Sequence, residues 1–409
     1  MKKLMTVGCA LLGAAAFAAI EPLSPKMDET VALLPDLQKK VLALPTLAER
    51  LRFFAENPSA KTCDCWRVSA PLVFSCRTTE GERGPWKVVI GKKPDLSDAR
   101  NFFVRTSKVD AASGRAGEAE SAGPVVRIEV PMANLEIGTR YYWKVVNCRL
   151  CGWGCHPKHG CAACTNRLES AVVSFVTEDL APRWIAIEGR VGNIRDLGGR
   201  RGLGGRRVRQ GLVYRGRGLN DNSVSGDVHG RNRLTVEDVD YLTGTLGIKT
   251  DLDLRGIGET ADLCVSPLGE RVRLTIRSSP CYKAIFGEEG MRVMAANFRE
   301  FCDRRNYPVY FHCIGGADRT GSLGYVLLSV LGVSRQEAET DWESTFYPNI
   351  PDSNPDPNFW CRESHFNDGL AKYGDAGTPW ADRVILYLKA CGITDAEIAE
   401  FRNIMLEDR

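Results

Sequence analysis

The chain has 409 residues, a formal net charge of +3 and 44% apolar residues. At about 100–200 residues per domain, this length accommodates two domains that each have a hydrophobic core. The 26% charged fraction, with ordinary aromatic content, excludes a disordered chain, a collagen-like fibre and a coiled coil. The near balance of charges gives no global field of the kind that a dedicated nucleic-acid-binding protein carries, so we expect no nucleic-acid partner.

The first residues have the pattern of a secretory signal peptide. A basic start at Lys2 and Lys3 precedes an apolar run, and Ala16 and Ala18 supply the small residues of a cleavage site. The run is shorter than the ~20 residues that a membrane-spanning helix needs, and no later stretch is long and apolar enough. We therefore expect a signal peptide at residues 1–18, a secreted or periplasmic protein and no stable membrane span.

Two kinds of element follow the signal peptide. Amphipathic runs separated by prolines predict a helical lead segment at residues 19–60. Short runs rich in β-branched and aromatic residues then predict a small all-β sandwich at residues 61–181. The predicted strands are residues 68–78, 86–90, 125–130, 141–146 and 171–176. Residues 135–145 and 173–177 resemble strands of fibronectin type III domains, which implies a fibronectin type III-like domain with a surface or protein partner.

A dense cysteine segment interrupts the predicted sandwich. Its cysteines are Cys148, Cys151, Cys155, Cys161 and Cys164. Because disulfides persist in an oxidising compartment, we expect disulfides between this segment and Cys63, Cys65 or Cys76. The two Cys-x2-Cys pairs leave a zinc site as the alternative, with Cys148, Cys151, Cys161 and Cys164 as its ligands.

Beyond residue 182 predicted strands alternate with helices, which indicates an α/β domain over residues 182–409. We expect a mixed, largely parallel sheet flanked by helices. The predicted strands are 248–254 and 309–312, and the predicted helices are 235–246, 291–305, 320–331, 335–345, 381–391 and 394–405. Sheets of this kind place their ligands beyond the carboxyl ends of the strands.

One segment combines a strand, a cysteine, a glycine-containing loop and an arginine at the start of a helix. It reads His312-Cys313-Ile314-Gly315-Gly316-Ala317-Asp318-Arg319-Thr320. Glycines let successive backbone N–H groups converge on an oxyanion, and a helix N-terminus adds its positive dipole end. We therefore expect residues 314–319 to bind phosphate, with the planar fork of Arg319 on two of its oxygens. The same positive field favours a nucleophilic thiolate at Cys313, and the Thr320 hydroxyl can hydrogen-bond the departing sulfur.

This spacing of His-Cys, five residues, Arg and Thr is similar to the signature loop of the protein tyrosine phosphatase superfamily. Residues 193–199, 211–215 and 251–255 match further motifs, in the same order, of its bacterial atypical branch of tyrosine/serine and dual-specificity phosphatases. The resemblance implies an enzyme without a cofactor or metal that hydrolyses phosphate monoesters of proteins or small molecules through a cysteinyl-phosphate intermediate. It implies catalytic roles for Cys313, Arg319 and Thr320. His312, Arg195 and Asp196 would support the loop.

The proton donor to the leaving group has two candidates. The resemblance favours Asp253, which ends a predicted strand, whereas Asp318 lies inside the loop. A different role for Asp253 is an ion pair with Arg255 or Arg319 that fixes the loop.

The sequence leaves two other functions open. Ala317 stands where the branch usually has lysine, and this lost cation favours aryl phosphates over an inositol polyphosphate or phosphoinositide. The second alternative is a catalytically weak module that binds phosphorylated ligands, with Cys313 oxidised by a thiol such as Cys281, Cys302 or Cys361. The arginine-rich stretch at residues 195–217 we expect to form either a phosphate-attracting surface near the site or a solvated face.

Overall fold

The structure is a computed structural model that describes residues 20–62, 69–78, 85–104, 108–110, 124–147, 168–189, 191–219, 233–260, 263–347 and 365–408. The predicted signal peptide, Cys63, Cys65, Cys361 and the cysteine segment at residues 148–164 lie outside these ranges. The chain divides into two compact units. A β unit comprises the described parts of Met1–Thr30, Leu72–Val130 and Arg140–Val176, and an α/β unit those of Val31–Pro71, Pro131–Thr139 and Thr177–Arg409.

The β unit consists of two sheets, and most of their strand pairs are antiparallel. Its strands are β1 (Ile20–Ser24), β2 (Glu29–Val31), β3 (Leu72–Thr78), β4 (Trp86–Gly91), β5 (Arg100–Val104), β6 (Lys108–Asp110), β7 (Val125–Val130), β8 (Arg140–Asn147), β9 (Leu168–Glu169) and β10 (Val173–Thr177). One sheet has the order β1-β3-β7-β6, and the other β2-β10-β8-β4-β5 with β9 beside β8. Rings from both sheets meet in the core, where Phe74 and Trp143 have centroids 4.8 Å apart. The predicted all-β region is therefore present, and the likeness to fibronectin type III domains stays a prediction.

The α/β unit contains one mixed sheet. Its strands are β11 (Arg183–Trp184), β12 (Arg195–Asp196), β13 (Val213–Arg217), β14 (Thr250–Asp253), β15 (Arg273–Ile276) and β16 (Val309–Cys313), in the spatial order β11-β12-β13-β16-β14-β15. The pairs among β13, β16, β14 and β15 are parallel, and the two pairs at the β11 edge are antiparallel. Strand β16 therefore lies inside the sheet, and its carboxyl end is the place where an α/β sheet presents a ligand site.

Helices cover this sheet. Their bounds are α1 (Asp36–Leu42), α2 (Leu47–Glu56), α3 (Val236–Asp240), α4 (Ile257–Thr260), α5 (Glu288–Glu300), α6 (Asp318–Val330), α7 (Arg335–Glu343), α8 (Trp380–Ala390) and α9 (Asp395–Met405). Helix α6 has a mostly apolar sequence on all sides, and it is accordingly buried from Thr320 to Val330. Helix α7 packs so closely on it that a Cβ at Gly321 would lie 2.0 Å from Nε1 of Trp342.

The lead segment departs from its prediction. Residues 20–24 and 29–31 form strands, so the helical part of the segment begins at Asp36. Helices α1 and α2 then pack on the α/β unit, where Val41 and Phe54 share an apolar cluster with Tyr347. Sequence periodicity indicated an apolar face on these helices, but it could not indicate which neighbour that face meets.

Three further observations apply to the described part of the chain. It contains no disulfide, so the predicted pairing of the cysteine segment stays a prediction. It contains no helix that is long and apolar enough to cross a membrane. It also contains no group of three His, Cys, Asp or Glu side chains that could hold a metal ion, and the alternative zinc ligands lie outside it.

Candidate active site

The candidate nucleophile stands at the end of a fully buried strand. All residues of β16 are buried, and Cys313, its last residue, has a side chain 3% exposed. Parallel neighbours on both sides fix the strand: Arg217 pairs with Cys313 and Asp253 pairs with His312. Helix α6 begins five residues after Cys313. The cysteine, the loop and the helix N-terminus thus lie together where the sequence predicted them.

Residues 314–317, the phosphate loop, are held by their carbonyl groups. Gly218 N–H donates to Ile314 O at 3.1 Å, and Nδ2 of Asn193 donates to Gly315 O at 3.3 Å and Gly316 O at 3.2 Å. Nη2 of Arg215 donates to Gly316 O at 2.9 Å. A trans peptide is planar, so its C=O and N–H groups point in opposite directions. Carbonyls bound on the outer side of the loop therefore turn the following N–H groups toward its inner side.

These inner N–H groups are available to a ligand. Among the residues that the structure describes, no acceptor is found for the backbone N–H of Gly315, Gly316 or Ala317. Gly316 has φ +66°, and a Cβ there would lie 2.3 Å from Gly216 O, so only glycine fits this turn. Buried or enclosed N–H groups need an acceptor, and a tetrahedral oxyanion supplies several at once. The loop thus has the geometry of an anion site.

Arg319 lies in the first turn of α6 and forms a bidentate pair with Glu259. Nη1 donates to Oε2 of Glu259 at 2.5 Å and Nη2 donates to Oε1 at 2.8 Å. These hydrogen bonds, together with the nearby Cys313 sulfur, hold the pKa of Arg319 above its usual value despite partial burial. A guanidinium has five N–H donors, so this pair orients Arg319 and leaves donors for a phosphate.

Asp253 belongs to a buried charge network. Its side chain is 1% exposed and accepts hydrogen bonds from Nε and Nη2 of Arg255 at 2.9 and 2.6 Å. His312 lies between two carboxylates, with Nε2 2.8 Å from Asp251 and Nδ1 3.7 Å from Asp253. Burial alone would raise the pKa of Asp253, but the charge of His312 and the bonds from Arg255 lower it below its usual value. The arrangement matches the alternative role of Asp253 as an ion-pair partner of Arg255.

The same network defines the state of His312. Burial would lower the pKa of this imidazole, but the charges of Asp253 and Asp251 outweigh burial and raise it. The two carboxylates therefore favour the imidazolium form of His312, which lies buried next to Cys313 on β16.

Asp318 has different surroundings. It is the first residue of α6, is partly exposed, and accepts a hydrogen bond from the Tyr282 hydroxyl. The Tyr282 ring stacks on Trp342 with centroids 5.8 Å apart, and its N–H donates to the Ser322 hydroxyl at 3.1 Å. The Asp318 carboxyl is therefore held by a tyrosine that is itself fixed by packing and by a backbone hydrogen bond.

Thr320 lies one residue further along the helix. Its hydroxyl is buried and has no hydrogen-bond partner among the described residues. A buried hydroxyl ordinarily has a hydrogen-bond partner. The Thr320 hydroxyl is therefore available to hydrogen-bond a group that gains charge during a reaction.

Three arginines of the arginine-rich stretch are placed differently from the prediction, whereas Arg201 is exposed to solvent. Arg195, Arg200 and Arg215 are buried and donate to the carboxylate of Asp341 on α7, with shortest distances of 3.0, 2.8 and 2.7 Å. They form neither a solvated face nor an open phosphate-attracting surface, because a buried carboxylate binds them behind the loop. Asp196 is also buried and accepts from Arg183 and from Gly198 N–H.

Sequence reasoning missed the roles of Glu259, Tyr282 and Asp341. The one available signal was for Asp341, which lies three residues after the buried Ala338 on α7. An acidic residue on the apolar face of a helix indicates a buried partner of opposite charge. The partners come from distant segments, so the sequence could not identify them.

Two comparisons with known proteins agree with this geometry. Residues 186–351 match the family described as "Tyrosine phosphatase family". A protein of Cupriavidus necator whose name proposes it as a tyrosine-protein phosphatase is 28% identical over an alignment of 190 residues, and the match covers 38% of this chain and 64% of that protein. The chain thus spans less than two thirds of the length of this relative. The family match lies within the α/β unit, and both similarities support a phosphatase enzyme.

Proposed function

We propose that the protein is a cysteine-dependent phosphatase that hydrolyses aryl phosphate monoesters such as phosphotyrosine. The observation that carries this proposal is the loop that follows Cys313, in which bound carbonyls direct three successive N–H groups inward beside the oriented fork of Arg319. Donors arranged in advance for a developing oxyanion are usually the largest single contribution to catalysis. The similarity to tyrosine phosphatases over residues 186–351 supports the same function.

The proposed reaction has two steps. In the first, the Cys313 thiolate attacks phosphorus, an S–P bond forms, and the P–O bond to the leaving group breaks. The leaving oxygen keeps the electron pair and takes a proton from a carboxylic acid. In the second, the resulting carboxylate removes a proton from water, the hydroxide attacks phosphorus, and the S–P bond breaks. Inorganic phosphate leaves, and the Thr320 hydroxyl stabilises the returning thiolate.

Asp318 is the proton donor in this proposal. Asp253 is held as a carboxylate by Arg255 and His312, and a carboxylate has no proton to give. Its burial also separates it from a leaving group in solvent. Asp318 directly follows the loop, is partly exposed, and is oriented by Tyr282. These differences favour Asp318, although the resemblance of sequence motifs favoured Asp253.

Replacement of the proton donor is expected to depend on the leaving group. Asp318→Asn should lower kcat for phenyl phosphate about 10²-fold and kcat for p-nitrophenyl phosphate much less, because phenolate needs the proton more than p-nitrophenolate does. Steady-state kinetics of both esters at one pH measure the ratio. Asp253→Asn provides the comparison, since loss of a structural carboxylate should affect both esters alike. A leaving-group dependence found for Asp253→Asn instead would assign the proton to Asp253.

The loop also bears on the class of substrate. Ile314 presents an apolar side chain that is 43% exposed, and Ala317 contributes no charge. An aromatic leaving group gains from such contacts, whereas a highly charged inositol polyphosphate lacks the additional cation that it would use. We therefore expect the wild-type protein to hydrolyse a phosphotyrosine peptide with a higher kcat/KM than any inositol polyphosphate. The reverse order would replace the proposed substrate class and retain the mechanism.

The proposal includes export. Its support is the basic and apolar pattern of residues 1–18 with small residues at a cleavage site. N-terminal sequencing of the protein from its expressing cell tests it, since a first residue near position 19 is expected and an intact Met1 would contradict export. A partner for the β unit remains a prediction from its resemblance to fibronectin type III domains.

A further inference from the structure

The Asp341 carboxylate is the meeting point of three buried guanidinium groups. It accepts from Nε of Arg195 at 3.0 Å, Nη2 of Arg200 at 2.8 Å and Nη1 of Arg215 at 2.7 Å. The side chains of all four residues are at most 3% exposed. Burial would raise the pKa of Asp341, but the charges of the arginines hold it well below its usual value. The carboxylate is therefore ionised under ordinary conditions.

Two of these arginines reach the phosphate loop on its outer side. Arg215 donates through Nη2 to Gly316 O at 2.9 Å while its Nη1 is bound to Asp341. Arg195 donates through Nη1 to Oδ1 of Asn193 at 2.7 Å, and Nδ2 of the same amide binds Gly315 O and Gly316 O. The Asp341 carboxylate thus holds both arginines: Arg215 binds Gly316 O directly, and Arg195 acts on the Gly315 and Gly316 carbonyls through the Asn193 amide.

These contacts fix the orientation of two peptide groups in the phosphate loop. The carbonyls of Gly315 and Gly316 belong to the peptides that carry the N–H groups of Gly316 and Ala317. Turning these carbonyls outward turns those N–H groups toward the anion site. A guanidinium that lost Asp341 would have other rotamers available, and the direction of the N–H groups would no longer be fixed.

The network also has a net positive charge. Its three arginines and one aspartate together have a charge of +2, and they lie behind the loop. Burial and the charge of Arg195 lower the pKa of Arg215 to about 9, whereas interactions with Asp341 and with the Cys313 sulfur oppose this change. Arg215 therefore interacts electrostatically with the Cys313 sulfur, and its charge favours anions in the loop.

We propose that Asp341 is a positioning residue of the phosphate loop, which orders the loop N–H groups and places positive charge behind them through Arg195 and Arg215. It does not contact the substrate. The proposal rests on the proposed phosphatase function, because it assigns the loop an anion to bind.

The experiment compares Asp341→Asn and Arg215→Lys with a matched control, Glu343→Gln. Glu343 lies on the same helix, is buried, and pairs with Arg50 at 2.6 and 2.8 Å without contacting the loop. Calorimetry measures the dissociation constant for tungstate, a tetrahedral oxyanion, and p-nitrophenyl phosphate hydrolysis gives kcat and KM. Far-ultraviolet circular dichroism and thermal unfolding verify that each variant is folded.

Asp341→Asn and Arg215→Lys are expected to weaken tungstate binding 10- to 100-fold and to lower kcat at least tenfold, as loss of a charged hydrogen bond implies. Arg215→Lys keeps the charge but loses the fork that joins Asp341 to Gly316 O. Glu343→Gln should stay within about twofold of the wild-type protein in both constants, even where it lowers the unfolding temperature. Equal effects of Asp341→Asn and Glu343→Gln would mean a general structural role and overturn the proposal.

If Asp341→Asn does not fold, Arg215→Lys alone tests the proposal. A folded Arg215→Lys variant that binds tungstate as tightly as the wild-type protein would overturn the proposal. Wild-type protein that binds tungstate without hydrolysing the ester refutes the proposed catalysis, while the ratio of tungstate constants still tests Asp341. Wild-type protein that does neither refutes both proposals.

Discussion

Cys313→Ser is expected to abolish turnover, with kcat for p-nitrophenyl phosphate lower by about 10⁴-fold or more. The serine hydroxyl is protonated at neutral pH and is a much weaker nucleophile than a thiolate, and no described side chain is hydrogen-bonded to residue 313 as a base. The strand and loop should be unaffected, because serine has nearly the volume of cysteine at this buried position. Steady-state assays with enzyme concentrations high enough to detect the residual rate provide the measurement.

The same variant separates binding from chemistry. The loop N–H groups and Arg319 do not depend on the sulfur, so Cys313→Ser should still bind tungstate and phosphotyrosine peptide. Cys302→Ser is the matched control, since Cys302 is a half-buried thiol just after the end of α5, donates to Phe298 O and Glu397 O, and should keep wild-type kcat. Retention of most activity by Cys313→Ser would refute the covalent mechanism.

Arg319→Lys is expected to have the second largest effect, a decrease of about 10²–10³-fold in kcat/KM, the range measured on removal of one oxyanion donor. A lysine keeps the positive charge but offers a single ammonium group in place of a planar fork, so it cannot pair with Glu259 and contact two phosphate oxygens together. Most of the loss should fall on kcat, because the fork matches the equatorial oxygens of the transition state better than those of the ground state.

Two further variants, Glu259→Gln and Arg292→Lys, provide the comparisons for Arg319→Lys. Glu259→Gln leaves Arg319 charged but removes the carboxylate that orients it, so an intermediate loss of about tenfold is expected. Arg292 is exposed and also pairs with a glutamate, and its replacement by lysine should leave kcat/KM unchanged. Activity of Arg319→Lys within about threefold of the wild-type value would contradict the assigned role of the fork.

Local patterns predicted most elements of the α/β unit. Residues 309–312 and the helices at 320–331, 381–391 and 394–405 were found within a few residues of their expected bounds. These segments are long or strongly periodic, and their burial follows from their own sequence. The largest departure was at residues 20–31, where a proline-containing stretch of mixed character joins the sheets of the β unit.

The positions of charged residues were harder to predict. Asp253 and Asp318 have the same functional group, and motif order favoured Asp253, but the structure pairs Asp253 with Arg255 and orients Asp318 with Tyr282. The arginines of residues 195–215 gave a basic composition, which on average indicates solvent exposure. Arg195, Arg200 and Arg215 are instead buried around Asp341, which lies more than 120 residues after Arg215 in the chain.

The sequence alone determined which functional groups the candidate site contains: a cysteine after a buried strand, glycines in a short loop, and an arginine and a hydroxyl at the start of a helix. These features are local, since each depends on residues within about ten positions of Cys313. Only the tertiary structure showed that Asp253 pairs with Arg255 and that Asp318 accepts from Tyr282. It also showed that Glu259 orients Arg319 and that lead helices α1 and α2 pack beside Tyr347. Charge state and orientation depend on burial and on partners from distant segments, and the folded chain is what brings those partners together.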